Sequence, residues 1–97
     1  MIGKSTYKIP EGKLVKIELD FTGSRINSVK INGDFFLYPE NGIELIEKSL
    51  SKVSVDKKSI IGAVDSAVKK NSLELFGINA EGVADAIILA KGASDGK

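Results

Sequence analysis

The stretch KLVKIELDFTGSRINSVKINGDFFLYP, residues 13–39, decides the fold. Val15, Ile17, Leu19 and Phe21 alternate with Lys16, Glu18 and Asp20, the period of two that arises when one strand face is buried and the other is wet. Thr22, Gly23 and Ser24 supply turn chemistry, with Gly23 able to take positive φ, and Val29 and Ile31 resume the alternation around Lys30. The pair reads as a hairpin. Asn32 and Gly33 then interrupt the second strand with a turn or bulge, and residues 34–38 follow as an extended apolar piece ending at Pro39.

Working outward, Tyr7 and Ile9 fit a short strand broken by Pro10 and Gly12, and an edge position suits that proline because it has no ladder donor. Downstream the pattern turns helical. Asn41 is a candidate N-cap for a helix presenting Ile43, Ile46 and Leu50, with Leu45 alongside. Asp56 caps a second, with Ile60, Ile61, Val64, Ala67 and Val68 on its apolar face and Asn71 at its end. Asn79 caps a third that carries Val83, Ala84, Ile87, Ile88 and Lys91 and is expected to stop at Gly92. Between them SLELFGI, residues 72–78, is too short to type by periodicity and reads as an apolar connector or single turn. Strands first and helices afterwards predict an α+β domain, a three-stranded antiparallel sheet followed by about three helices packed on one face. Residues 1–92 are expected to form a single domain and residues 93–97 a frayed tail.

With 97 residues, 42% hydrophobic and 28% charged, the chain has a globular composition, and a chain of this size buries roughly 60 to 70% of its unfolded surface. It contains no cysteine and no histidine, which excludes disulfides, thiolate chemistry, imidazole acid–base catalysis and metal sites built on either residue. Net charge is +1, distributed unevenly: six cations face three carboxylates in residues 1–33, and eight face ten beyond. No basic cluster is interleaved with aromatics, so nucleic acid is not expected as a partner. The first ten residues hold no long apolar run, so no signal peptide or membrane span is expected and the cytoplasm is the expected location. Met1 leading straight into a strand fits both a complete gene product and a domain cut from a longer chain.

Few features could carry chemistry. The glycines do not form the GxxxxGK[ST] or GxGxxG spacing that cradles phosphates. The serines have no imidazole to activate them. Glu40, Glu44 and Glu47 lie at helical spacing, where carboxylates favour the helix dipole and solvate an exposed face. Asp34, between Gly33 and two phenylalanines, is assigned first to turn chemistry with its own nearby amides, and second to a direct partner contact. Alternation sends Phe35 and Phe36 to opposite faces, so one ring of the group Phe35, Phe36 and Tyr38 is expected to face outward; most such rings are covered by a local helix, and an uncovered one forms an apolar anchor for another protein.

The run GKLVKIELDFTGSRINSVKINGDFFLYPENGIELIEKSL, residues 12–50, resembles the carboxyl-terminal accessory domain of lipoate-protein ligases, in the form some archaea encode as a small separate subunit. The one departure is Glu11, which stands where a second glycine is often found. The resemblance implies an accessory role without a catalytic residue. The chain would be needed with a large catalytic subunit for ATP-dependent activation of lipoate to lipoyl-adenylate, before transfer to an acceptor lysine. ATP, Mg and lipoate would be held by that partner, with none bound by this chain alone, and the lipoyl acceptor domain is a second candidate partner. By motif position the contact surface includes Gly33, Asp34, Phe35, Phe36, Tyr38 and Pro39, with Lys13 and Lys16 as electrostatic partners of anionic substrate or protein. The competing expectation is a freestanding protein-binding or scaffold module. Its layout is similar to the iron–sulfur scaffold and sulfur-acceptor domains, whose thiolates this chain lacks.

Overall fold

In the computed structural model, which describes residues 1–95, β1 (Ile2–Lys8), β2 (Leu14–Thr22) and β3 (Arg25–Gly33) form an antiparallel sheet in that order. The hairpin of β2 and β3 turns at Gly23, which takes φ +59°. Ile26 and Val29 both belong to the core, yet they lie three residues apart, a spacing that regular alternation would send to opposite faces. A bulge resolves the conflict: Asp20 pairs with Ser28 and Phe21 with Ile26, so Asn27 is the extra residue. Its amide bridges the bulge, donating to Asp20 Oδ1 at 3.1 Å and to Thr22 Oγ1 at 2.9 Å. The interruption expected at Asn32–Gly33 comes slightly later. β3 continues through Gly33, which pairs with Val15, and the chain bends at Asp34.

β1 is longer than the sequence suggests and ends before Ile9. Its inward positions are Gly3, Ser5 and Tyr7, too small and polar to produce an apolar alternation. Those small residues let a helix approach closely. That helix is α3 (Ala80–Asp95), which buries Val83, Ala84, Ala86, Ile87 and Ala90 and accepts a 2.7 Å hydrogen bond from Ser5 Oγ at the Ala86 carbonyl. α3 does not stop at Gly92 but runs through it to Asp95, since an interior glycine weakens a helix without ending it. Residues 93–95 of the expected tail are therefore helical in backbone, and residues 96 and 97 lie outside the described residues.

α1 (Gly42–Ser49) and α2 (Lys57–Asn71) complete the layer over the sheet. The N-caps at Asp56 and Asn79 form as expected: Asp56 Oδ1 accepts from the Ser59 N–H at 2.8 Å, and Asn79 Oδ1 from the Gly82 N–H at 2.6 Å. Asn41 precedes α1 without a side-chain cap bond. α2 closes on Ser72 in the left-handed conformation (φ 53°), while the Asn71 amide reaches back to the Ala67 carbonyl at 2.9 Å. Val15, Ile17, Leu19 and Phe21 are sealed beneath the helices, together with Ile46, Leu50, Ile60, Val64 and Ile87. The other sheet face, with Lys4, Lys16, Glu18 and Lys30, is exposed. The α+β reading with helices on one face therefore holds.

The free edge of β3 is guarded. The Ile26 N–H donates to the Val53 carbonyl at 2.9 Å and the Ile26 carbonyl accepts from the Lys52 N–H at 2.7 Å. Further along, the Ile31 N–H donates to Glu47 Oε2 at 2.8 Å. Glu47 thus ties α1 to the sheet rather than merely solvating the helix. No helix among the described residues is long and apolar enough to cross a membrane.

Candidate docking surface

Residues 72–78 hold a strand. β4 (Phe36–Tyr38) pairs antiparallel with β5 (Glu74–Phe76) in a separate two-stranded ribbon, placing Phe36 opposite Phe76, Leu37 opposite Leu75 and Tyr38 opposite Glu74. Alternation then sorts the side chains. Leu37 is buried and Phe35 half-buried, whereas Phe36, Tyr38 and Phe76 are 58%, 60% and 50% exposed. The rings of Phe36 and Phe76 meet across the ribbon with centroids 5.8 Å apart and planes tilted by 34°. In place of one outward ring the structure shows three. Phe76 was missed because a three-residue strand is shorter than any readable period; the alternation of Leu73 and Leu75 with Glu74 and Phe76 means something only once β4 is its partner.

Two glycines join the ribbon to the main sheet at Lys13 and Leu14. Gly33 lies against the backbone of Leu14, where any Cβ would collide with the Leu14 carbonyl oxygen, and its φ of +152° is open to glycine alone. That same carbonyl accepts from the Asp34 N–H at 3.1 Å. Gly77 (φ +83°) lies under the Lys13 side chain, and its carbonyl accepts from the Lys13 N–H at 2.9 Å. The Gly-Lys-Leu start of β2, the Gly-Asp-Phe-Phe corner and the Phe-Gly-Ile connector are therefore one junction, although 64 positions separate Lys13 from Gly77.

Most of the residues singled out from the sequence meet here. Gly33, Asp34, Phe35, Phe36, Tyr38 and Pro39 form β4 and its approaches, and Lys13 adjoins the Phe76 end through Gly77. Lys16 does not join them; it stands on the exposed face of the main sheet between Thr6 and Asn32. Asp34 is exposed and its carboxylate takes no hydrogen bond among the described residues, so the expected turn bond is not made. Beside Phe36 is an open hollow of about 250 Å³ walled by Ile31, Leu37 and Ile43 and by the rings of Phe35 and Phe36, with Glu40 in its lining. The segments that build this end of the molecule, residues 33–44 and 73–79, hold Asp34, Glu40, Glu44 and Glu74 and no lysine or arginine. All four carboxylates are exposed, and none is in an ion pair among the described residues. No group of three or more carboxylates that could hold a metal ion occurs among the described residues. The hollow is also smaller than the roughly 300 to 1,000 Å³ of small-molecule sites.

Fold and surface together define a class: a small α+β module carrying an uncovered aromatic ribbon with an acidic surround. Within that class the chain belongs to the lipoate-protein ligase carboxyl-terminal family, since the family model described as bacterial lipoate protein ligase C-terminus matches residues 5–87. Lipoate-protein ligase A subunit 2 of Thermoplasma acidophilum is 37% identical over 57 residues, 59% of this chain; the match spans 60% of that relative's length. A chain from the solved structure of an archaeal lipoylation system, described as a bipartite lipoate protein ligase and its E2 lipoyl domain from Thermoplasma acidophilum, superposes with a TM-score of 0.75 at 28% identity. That likeness covers 90% of this chain and 94% of the other.

Proposed function

We propose that this chain is a non-catalytic accessory subunit of a lipoate-protein ligase, paired in the cytoplasm with a large catalytic subunit as a heterodimer. ATP, Mg and lipoate are bound by the large subunit, and the accessory subunit is required there for formation of lipoyl-adenylate. Transfer to the acceptor lysine follows. The single observation that carries this reading is the trio of exposed rings, Phe36, Tyr38 and Phe76, on a ribbon that the chain's own helices leave uncovered. Aromatic residues of this kind are the usual anchors of protein interfaces.

The reading assigns the chain an organising role. A module that shows no metal cluster among its described residues, and whose sequence holds no phosphate loop and no imidazole to activate a nucleophile, can still raise a rate when its docking closes or orders a site that belongs to its partner. The described likeness to a bipartite ligase supports the two-subunit arrangement, and the E2 lipoyl domain in the same description supports the acceptor domain as a second contact.

The test is reconstitution. The purified chain is mixed with the large ligase subunit, and lipoate-dependent pyrophosphate release and lipoyl-adenylate are measured with and without it. Adenylate formation should depend on the added chain and fall when Tyr38→Ala or Phe76→Ala replaces it. A large subunit that is fully active alone and does not associate with this chain would end the accessory reading.

A further inference from the structure

The hollow beside Phe36 has the chemistry of a receptor for one long basic side chain. Building on the docking reading, we infer that it accepts an arginine presented by the large catalytic subunit. Ile31, Leu37 and Ile43 offer aliphatic walls for a methylene stem, and Phe35 and Phe36 in the same lining add aromatic surface for a guanidinium. Glu40 supplies the counter-charge. Glu40 is an exposed residue of the lining, and its carboxylate has no partner within the chain among the described residues.

Charge selects the same occupant. The two segments forming the ribbon and its approaches carry four carboxylates with no ion pair among the described residues, against the one adjoining cation, Lys13, which lies over Gly77 at the Phe76 end, so the balance of charge favours a basic group. A volume of about 250 Å³ suits a side chain better than a cofactor, which needs roughly 300 Å³ or more. Arginine fits better than lysine, because its planar head stacks on rings, loses less hydration and can fork two donors onto one carboxylate.

The experiment measures affinity between the purified large subunit and this chain, as wild type, Glu40→Gln, Glu40→Lys, Tyr38→Ala and Phe76→Ala, at several salt concentrations. Glu40 is exposed in a turn, so its variants should fold as the wild type does. Glu40→Gln should weaken binding about tenfold and flatten its salt dependence, with Glu40→Lys weaker still. Replacing the arginines of the large subunit one at a time should identify one whose loss is non-additive with Glu40→Gln. If both Glu40 variants bind as the wild type does, or no arginine couples to Glu40, the receptor is overturned. Should Tyr38→Ala and Phe76→Ala still weaken binding in that case, the docking reading survives the loss; should they too be silent, it falls as well.

Discussion

Phe21 and Phe36 both project from strands of the same small chain, yet Phe21 is 2% exposed and Phe36 is 58% exposed. Phe21 stands on a nine-residue strand with a neighbour on each side and helices over its inner face, and the Lys91 ammonium lies 5.5 Å from the centre of its ring. Phe36 stands on a three-residue strand whose one sheet partner, β5, is equally short. A two-stranded ribbon is marginal alone, so this one is held by Leu37, Phe35 and the glycine junction on its inner side. The difference separates two uses of apolar surface. One is buried inside the chain by folding; the other is left exposed by the chain's own elements.

The largest expected effect breaks the comparison if it fails. Leu19→Ala, at a fully buried position of β2, should cost about 2 to 5 kcal/mol in urea denaturation. Phe36→Ala should cost about 1 kcal/mol or less, because its ring is already largely in water and loses chiefly its contact with Phe76. Equal losses would mean that the ribbon is part of the core. Gly33→Ala attacks the joint between the two regions: the collision with Leu14 and the positive φ should cost about 2 kcal/mol or more. Hydrogen exchange should then show the amides of β4 and β5 released before those of β2. Uniform loosening of both sheets would show that Gly33 does not join two separable regions.

The same contrast explains what the sequence could reveal. β2 was legible because four inward apolar residues alternate with exposed polar ones, and the helices because their stripes are long and two of the three carry working caps. β1 was half hidden, since packing under α3 demands Gly3 and Ser5 where a pattern reader looks for valine or isoleucine. β5 was hidden altogether, as strand identity over three residues is conferred by the partner strand. Of the surface, the Phe35–Phe36 alternation could be read directly from the chain. Phe76 and the contact of Gly77 with Lys13 depend on residues dozens of positions apart, and the sequence pattern carries no signal for them. Resemblance to a family supplied what composition and spacing withheld.

On the helical side a smaller change sharpens the picture. Asp56→Ala removes the acceptor for the Ser59 N–H and hydroxyl and should lower stability by about 1 kcal/mol. Affinity for the proposed large subunit should stay unchanged, because α2 is not part of the ribbon. A loss of affinity matching the loss of stability would show that the two regions fold and dock as one unit.

The smallest effect concerns Lys57, whose ammonium lies 3.3 Å from Asp85 Oδ1 and 3.3 Å from Glu81 Oε2, pinning the start of α2 to α3. Hydrogen bonding to Asp85, then to Glu81, raises the Lys57 pKa above its ordinary 10.5. A group whose folded pKa is raised contributes fully below its unfolded value, and the contribution fades as pH rises through the folded one. Stability relative to Lys57→Gln should therefore be level across neutral pH and converge on the variant only in strongly alkaline solution. Lys57 is about half exposed, with 47% of its side chain open to solvent, so added salt should shrink the difference at every pH. A gap that widens as the solution becomes alkaline would reverse the sign expected of a raised ammonium, and would place the coupling between these helices in packing rather than charge.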